Sequence, residues 1–78
     1  MSGEPRFEVE ALRPNGVVFR RAVVSRGGAS LSLDIVAECN RLRGEIRANQ
    51  GWTPQFRIIS HTDQGSTDLT HLYADQVN

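Results

Sequence analysis

The pair Asn15-Gly16 lies between two runs rich in strand-forming residues, and it constrains the fold more than any other feature of the chain. Asn-Gly tolerates positive φ at both central positions of a type I′ turn, so the sequence predicts a β-hairpin over residues 7–25 with a two-residue loop. That loop sets which residues face each other. The pairs expected on one face are Phe7 with Val24, Val9 with Ala22, Ala11 with Arg20 and Arg13 with Val18; those on the other are Leu12 with Phe19, Glu10 with Arg21, Glu8 with Val23 and Pro14 with Val17.

Residues 33–49 change to a helical period. Ile35, Cys39, Leu42 and Ile46 recur at spacings of four, three and four. This spacing predicts an amphipathic helix that buries these four residues as one stripe. Ser32 suits the N-cap of that helix, and the glycine of Gln50-Gly51 suits its end.

Two further segments have strand character. Residues 55–62 alternate, so that Phe56 and Ile58 fall on one side and Arg57 and Ile59 on the other. This alternation predicts a third strand. Residues 69–74 are assigned to a fourth strand paired with the third, with a terminal helical turn as the alternative.

These elements predict one α+β domain over residues 1–78, a small antiparallel sheet of three or four strands with one helix packed on one face. The third strand is expected beside a hairpin strand, either parallel to the first or antiparallel to the second, and the pattern leaves both arrangements open. Residues 1–6 and 75–78 are expected to fray.

Composition excludes several classes of function. Nine basic and nine acidic residues cancel, so no overall field attracts nucleic acid or an anionic membrane. Every basic residue is arginine, which excludes lysine-based covalent chemistry and favours bidentate contacts to carboxylate or phosphate. The single cysteine, Cys39, forms no intrachain disulfide. With no signal-peptide pattern and no apolar run of spanning length, we expect a cytoplasmic protein with no membrane contact.

No catalytic motif is recognised. Cys39 belongs to the apolar stripe of the helix, where a thiol is buried and inert. One group of residues has the side chains that metals prefer, namely His61, Asp63, Asp68, His71 and Asp75. A two-residue turn at Gly65-Ser66 places the two histidines on opposite faces, whereas a three-residue loop would pair them directly. We favour polar residues around a turn and expect no metal and no cofactor. Since no catalytic motif is present, we also expect no enzyme activity.

A single helix covers one face of a small sheet, so the other face is expected to remain open. The predicted partner-binding patch on that face contains Leu12, Val17, Phe19, Arg21 and Val23, with Arg43 and Arg47 on the helix flank as an alternative. The sequence therefore favours a noncatalytic module that acts as adaptor or inhibitor by docking on a protein partner or on a second copy of itself. The length and the hairpin–helix–strand layout are similar to those of some anti-CRISPR proteins, which implies a phage-type antagonist of a host system, although the likeness covers no motif.

The alternative function is nucleic-acid binding. A β-ribbon that carries arginines fits a groove of DNA, and the candidate residues are Arg20, Arg21, Arg26 and Arg57. Cross-strand charge pairs, such as Arg21 opposite Glu10, explain part of the same pattern without a ligand.

Overall fold

The computed structural model describes residues 5–28 and 30–78; the lead-in 1–4, which was expected to fray, and Ala29 lie outside the described residues. The strands form one sheet in the order β2-β1-β3-β4, and each neighbouring pair is antiparallel. The predicted α+β class is confirmed. The elements are β1 Arg6–Leu12, β2 Val18–Val23, α1 Leu31–Gln50, β3 Gln55–Thr62, β4 Gly65–Asp68 and α2 Thr70–Val77.

The hairpin exists, but its turn differs from the predicted one. Gly16 has φ 87°, whereas no non-glycine residue among those described has positive φ, so a type I′ turn at Asn15-Gly16 is wrong. Gly16 N donates to Arg13 O at 2.8 Å, and Val17 N donates to the Asn15 side chain at 3.1 Å. This is a type I turn over residues 13–16 with Pro14 at its second position, because the proline ring fixes φ near the value that this position requires.

A type I turn twists the strands less favourably than its mirror image, and the chain compensates with a bulge. Ala11 still pairs with Arg20, but Leu12 pairs with Val18. Phe19 of β2 is therefore the extra residue of the bulge and has no partner in β1. The predicted pairs Leu12 with Phe19 and Arg13 with Val18 are therefore wrong. The pairs nearer the strand ends follow the prediction.

Helix α1 has the predicted buried stripe, since Ile35, Cys39, Leu42 and Ile46 are all buried. It starts earlier than expected, because the N-cap is Ser30, whose hydroxyl accepts a hydrogen bond from Leu33 N at 3.2 Å. It ends as predicted at Gly51, which has φ 81°.

Strand β3 has the predicted bounds, but both predicted arrangements, parallel to β1 and antiparallel to β2, are wrong. It pairs with β1 in the antiparallel direction. A helix of 20 residues is about 30 Å long. It returns the chain to the far end of the sheet, so β3 runs in the same direction as β2 and fits beside β1.

The prediction that residues 69–74 form a fourth strand is wrong. The fourth strand is Gly65–Asp68, and residues 70–77 form α2. Leu69, Tyr73 and Val77, spaced four residues apart, pack on the core as one helical stripe. Strand β4 contains no apolar residue, so hydrophobic periodicity gives no sign of it.

The last residues, which are predicted to fray, make contacts with the core and with β3. Val77 is buried, and the Asn78 side chain accepts from Phe56 N at 2.7 Å and donates to Phe56 O at 3.0 Å. Arg43 of α1 donates to the carbonyl of Val77. The two Asn78 bonds occupy the edge of β3 at Phe56, beyond the end of β4.

Both helices lie on the same side of the sheet. Residues of α1 and of α2 share one core cluster with the inward side chains of β1 and β3. Because both helices are used on that side, the described residues leave the opposite side of the sheet without a covering element. Neither helix of the described chain is long and apolar enough to cross a membrane.

Candidate functional site

The uncovered side of the sheet, which we call the outer face, is built from alternate residues of the four strands. The pairing register places each β1 residue of this face between one neighbour from β2 and one from β3. The central row is Arg21, Glu10, Arg57, and the next row is Val23, Glu8, Ile59, Asp68. The face continues to Leu12 at one end and to His61 with Ser66 at the other.

A shared carboxylate occupies the centre of the outer face. Arg21 Nε donates to Glu10 Oε2 at 2.9 Å, and Arg57 Nε donates to Glu10 Oε1 at 2.7 Å. We call these three residues the Glu10 clamp. The Glu10 side chain is only 9% exposed, whereas Arg21 is 59% and Arg57 41% exposed. The two guanidiniums therefore form the solvent-facing layer, and the carboxylate lies beneath them.

Two opposing effects set the pKa of Glu10. Burial raises it, but the hydrogen bonds from Arg21 and Arg57 and the positive charges of these residues outweigh burial, and the pKa is lowered. The carboxylate therefore stays ionised in the folded protein and keeps both arginines in position.

This lowered pKa leads to an expected loss of stability in acid. In the unfolded chain Glu10 takes up a proton near pH 4.5, before the folded protein does. The stabilisation is thus present above that pH and is lost as the pH falls through the lower folded value. We expect Glu10→Gln to cost about 1 kcal/mol in unfolding free energy at pH 7 and less than that at pH 3. Urea titrations at both pH values measure the difference.

The matched control is Asp75→Asn, which removes an exposed carboxylate on α2. It is expected to change the unfolding free energy by less than about 0.5 kcal/mol at either pH. A cost of Glu10→Gln that is as large at pH 3 as at pH 7 would contradict the role given to the clamp.

A second chain of hydrogen bonds crosses the outer face at its far end. His61 Nε2 lies 3.1 Å from Glu8 Oε1, and His61 Nδ1 lies 2.8 Å from Ser66 Oγ. Because a carboxylate only accepts, Nε2 donates to Glu8, while Nδ1 and the Ser66 hydroxyl share the second hydrogen bond.

Serine, histidine and glutamate in this order are also the contacts of a hydrolase triad. A hydrolase further needs a concave site and donors aimed at the developing oxyanion. Ser66 lies on an exposed edge strand, and the described residues form no pocket around it. Residues 5–28 and 30–78 also contain no group of three metal-ligating side chains. We interpret the trio as a cross-strand contact that orders this end of the face.

The predicted partner-binding patch is only partly one surface. Val23 lies on the outer face and is 51% exposed, and Val17 at the turn is 56% exposed. Leu12 is half-buried at the end of the face. Phe19 lies elsewhere, because the bulge turns it toward the helix side.

Phe19 belongs to an aromatic cluster at the end of α1. Its ring centroid lies 5.2 Å from that of Trp52 in an edge-to-face arrangement. The guanidinium of Arg13 lies over both rings, 4.6 Å from the centroid of Phe19 and 5.6 Å from that of Trp52. This cluster closes one end of the core, so Phe19 contributes to stability more than to a docking surface.

The two helix-flank arginines differ in their surroundings. Arg43 donates to the carbonyl of Val77 and lies over the ring of Phe56, 5.2 Å from its centroid, so it joins α1 to α2. Arg47 is exposed in the last turn of α1. The pair does not form one cationic site.

The arginines of the nucleic-acid alternative each hold a carboxylate of this chain. Arg20 donates to Glu45 of α1 at 2.7 Å, and Arg21 and Arg57 share Glu10. Arg26 binds Asp34 at 2.8 Å.

Asp34 in the first turn of α1 also accepts from Gly27 N at 3.3 Å. In the Gly27-Gly28 loop the backbone N–H of Gly27 therefore binds a carboxylate of the chain itself. A phosphate-binding loop would need that N–H group for its ligand. Together with the four paired arginines, this arrangement does not favour a polyanionic ligand.

The patch predicted from the sequence omits two residues of the outer face, Arg57 and Ile59. The prediction places Arg57 in the nucleic-acid alternative, because the sequence does not indicate which strand lies beside β3. Ile59 was overlooked although the alternation with Arg57 and His61 places it on the same side. The facing pair Glu10 and Arg21 was expected from the hairpin register and is confirmed.

No protein-family model, curated protein or solved structure significantly matches the chain. Its function is therefore argued from the outer face alone.

Proposed function

We propose that the protein is a noncatalytic, cytoplasmic binding module that docks on another protein through the outer face of its sheet. It acts as an adaptor or as an inhibitor, for example as an antagonist of a host system. The docking residues are Leu12, Arg21, Val23, Arg57 and Ile59, with Val17 at the rim.

One observation carries this proposal: both helices cover the same side of the sheet, and the opposite side combines partly exposed apolar groups with a fixed charge cluster. Protein interfaces have this composition, with apolar and arginine contacts at the centre and polar groups around them. Val23 and Ile59 supply the apolar part, and the Glu10 clamp supplies directional donors. The clamp is ordered before binding, so less side-chain entropy is lost on docking.

Site-specific photocrosslinking in a lysate of the source organism tests the proposal. The photoreactive residue p-benzoylphenylalanine replaces Val23 on the outer face in one variant and Ala37 on the exposed side of α1 in the matched control. We expect a discrete protein adduct from the Val23 position, at least about fivefold stronger than from Ala37, and its suppression by excess unlabelled chain.

Three outcomes would contradict the proposal. They are equal adduct yields at the two positions, a stronger adduct at Ala37, and no competition by unlabelled chain. An adduct of twice the mass of the chain at Val23 would identify the partner as a second copy.

A further inference from the structure

We infer that the partner docks with an acidic segment, one of whose carboxylates binds across Arg21 and Arg57 above Glu10. The inference rests on the proposed function and deepens it by naming the chemistry of the partner. It follows from the donors that the clamp leaves unused, from the layering of its charges, and from the groups that surround it.

The first argument is the number of N–H donors in the clamp. A guanidinium carries five N–H groups. Arg21 uses its Nε on Glu10, and Arg57 uses its Nε and one terminal nitrogen. Most donors of both side chains therefore have no acceptor among the described residues. A second carboxylate is the acceptor whose geometry fits a guanidinium in a bidentate way.

The second argument is the charge that faces the partner. Two guanidiniums share one carboxylate, so the clamp retains a net positive charge. Glu10 is buried beneath the more exposed arginines, so an approaching group meets the cations first. Glu8 and Asp68 add carboxylates beside the clamp on the same face. Glu8 Oε1 lies 3.1 Å from His61 Nε2, and Asp68 accepts from Thr70 N at 2.8 Å, so the excess positive charge is confined to the clamp.

A second copy fits this surface less well than an acidic partner. Two copies stacked face to face would bring two clamps of the same net charge together, which is unfavourable.

The neighbours of the clamp favour an acidic protein over nucleic acid. A phosphate backbone needs several cationic contacts along its length, but Arg20 and Arg26 are held by Glu45 and Asp34 on the helix side. On the outer face the row beside the clamp contains Val23, Glu8, Ile59 and Asp68, so apolar groups and carboxylates surround the two arginines. Single carboxylates with apolar neighbours match this surface better than a continuous polyanion.

The experiment is a nuclear magnetic resonance titration that follows the arginine Nε–H signals. The probe is an eight-residue peptide of alternating Glu and Val, and the matched control peptide has Gln for Glu. We expect the signals of Arg21 and Arg57 to shift with the Glu peptide and to remain in place with the Gln peptide. Arg21→Gln and Arg57→Gln are each expected to weaken binding about tenfold, whereas Arg20→Gln, on the helix side of the same strand, leaves it unchanged.

A third variant gives a result in the opposite direction. Glu10→Gln keeps a side-chain oxygen that still accepts from the arginines but removes the negative charge that competes for them, so it is expected to strengthen binding of the Glu peptide about fivefold. A role of the clamp limited to structure predicts no gain in affinity. This variant and the two-peptide comparison still decide the matter if an arginine variant unfolds.

The inference is overturned if both peptides bind equally, if Arg20→Gln weakens binding as much as Arg21→Gln, or if Glu10→Gln weakens it. Tighter binding of a single-stranded oligonucleotide than of the Glu peptide would overturn it in favour of nucleic acid. If the titration fails while the Val23 crosslink stands, the docking surface is correct and only the acidic partner is wrong. If the peptide binds while Val23 and Ala37 crosslink equally, the proposed function is wrong.

Discussion

Replacing Phe19 with alanine is expected to lower the unfolding free energy by about 2 kcal/mol. The change removes the edge-to-face contact with Trp52 and the contact with the guanidinium of Arg13. The ring is half-buried, so the cost lies below that of a fully buried phenylalanine. Urea denaturation followed by circular dichroism measures it.

Val17→Ala is the matched control, because Val17 lies at the same end of the hairpin and is exposed. It is expected to change stability by less than about 0.5 kcal/mol. If Phe19→Ala left stability unchanged and instead abolished partner binding, Phe19 would belong to the docking surface and the position of the bulge would be wrong.

The largest expected loss follows Phe56→Ala. Phe56 is buried between the sheet and both helices, beneath the guanidinium of Arg43. Its removal leaves a cavity and is expected to cost about 3 to 4 kcal/mol. A domain of 78 residues has a total stability of about 4 to 12 kcal/mol, so the variant should be close to unfolding at 25 °C.

Gln55→Ala is the control for that variant, since Gln55 is the exposed neighbour in β3. Its thermal midpoint is expected to stay within a few degrees of the parent, whereas that of Phe56→Ala should fall by more than about 10 °C. Equal midpoints for the two variants would show that the core is not centred on Phe56.

The parts of the fold that could be predicted are those with a strong local period. The stripe from Ile35 to Ile46 indicates α1, and the alternation in residues 55–62 indicates β3 with its correct bounds. In both elements the buried residues recur with the period of the helix or the strand. One stretch of sequence is therefore enough to predict each element.

The parts that could not be predicted depend on partners distant in sequence or on turn chemistry. The turn is centred on Pro14-Asn15 instead of Asn15-Gly16. The bulge that accompanies it moves Phe19 away from its expected face. Strand β4 has only polar residues and glycine, so it is defined by pairing with β3 and not by its own pattern.

The candidate site could be predicted in part for the same reasons. The pair Glu10 and Arg21 follows from local hairpin register, and an open face follows from how little a helix can cover. Arg57 completes the Glu10 clamp only because β3 lies beside β1. No local pattern contains that neighbour relation.

Paramagnetic relaxation of valine and leucine methyl groups tests most directly whether the outer face is open and used. A soluble gadolinium chelate is added to the free chain and then to its noncovalent complex with the partner that the Val23 crosslink identifies. In the free chain we expect Val23 to relax as fast as Val17 and far faster than buried Val9. In the complex Val23 should become protected while Leu72 on α2 does not. A free chain in which Val23 is as protected as Val9, or a complex that protects Leu72 and not Val23, would contradict the account.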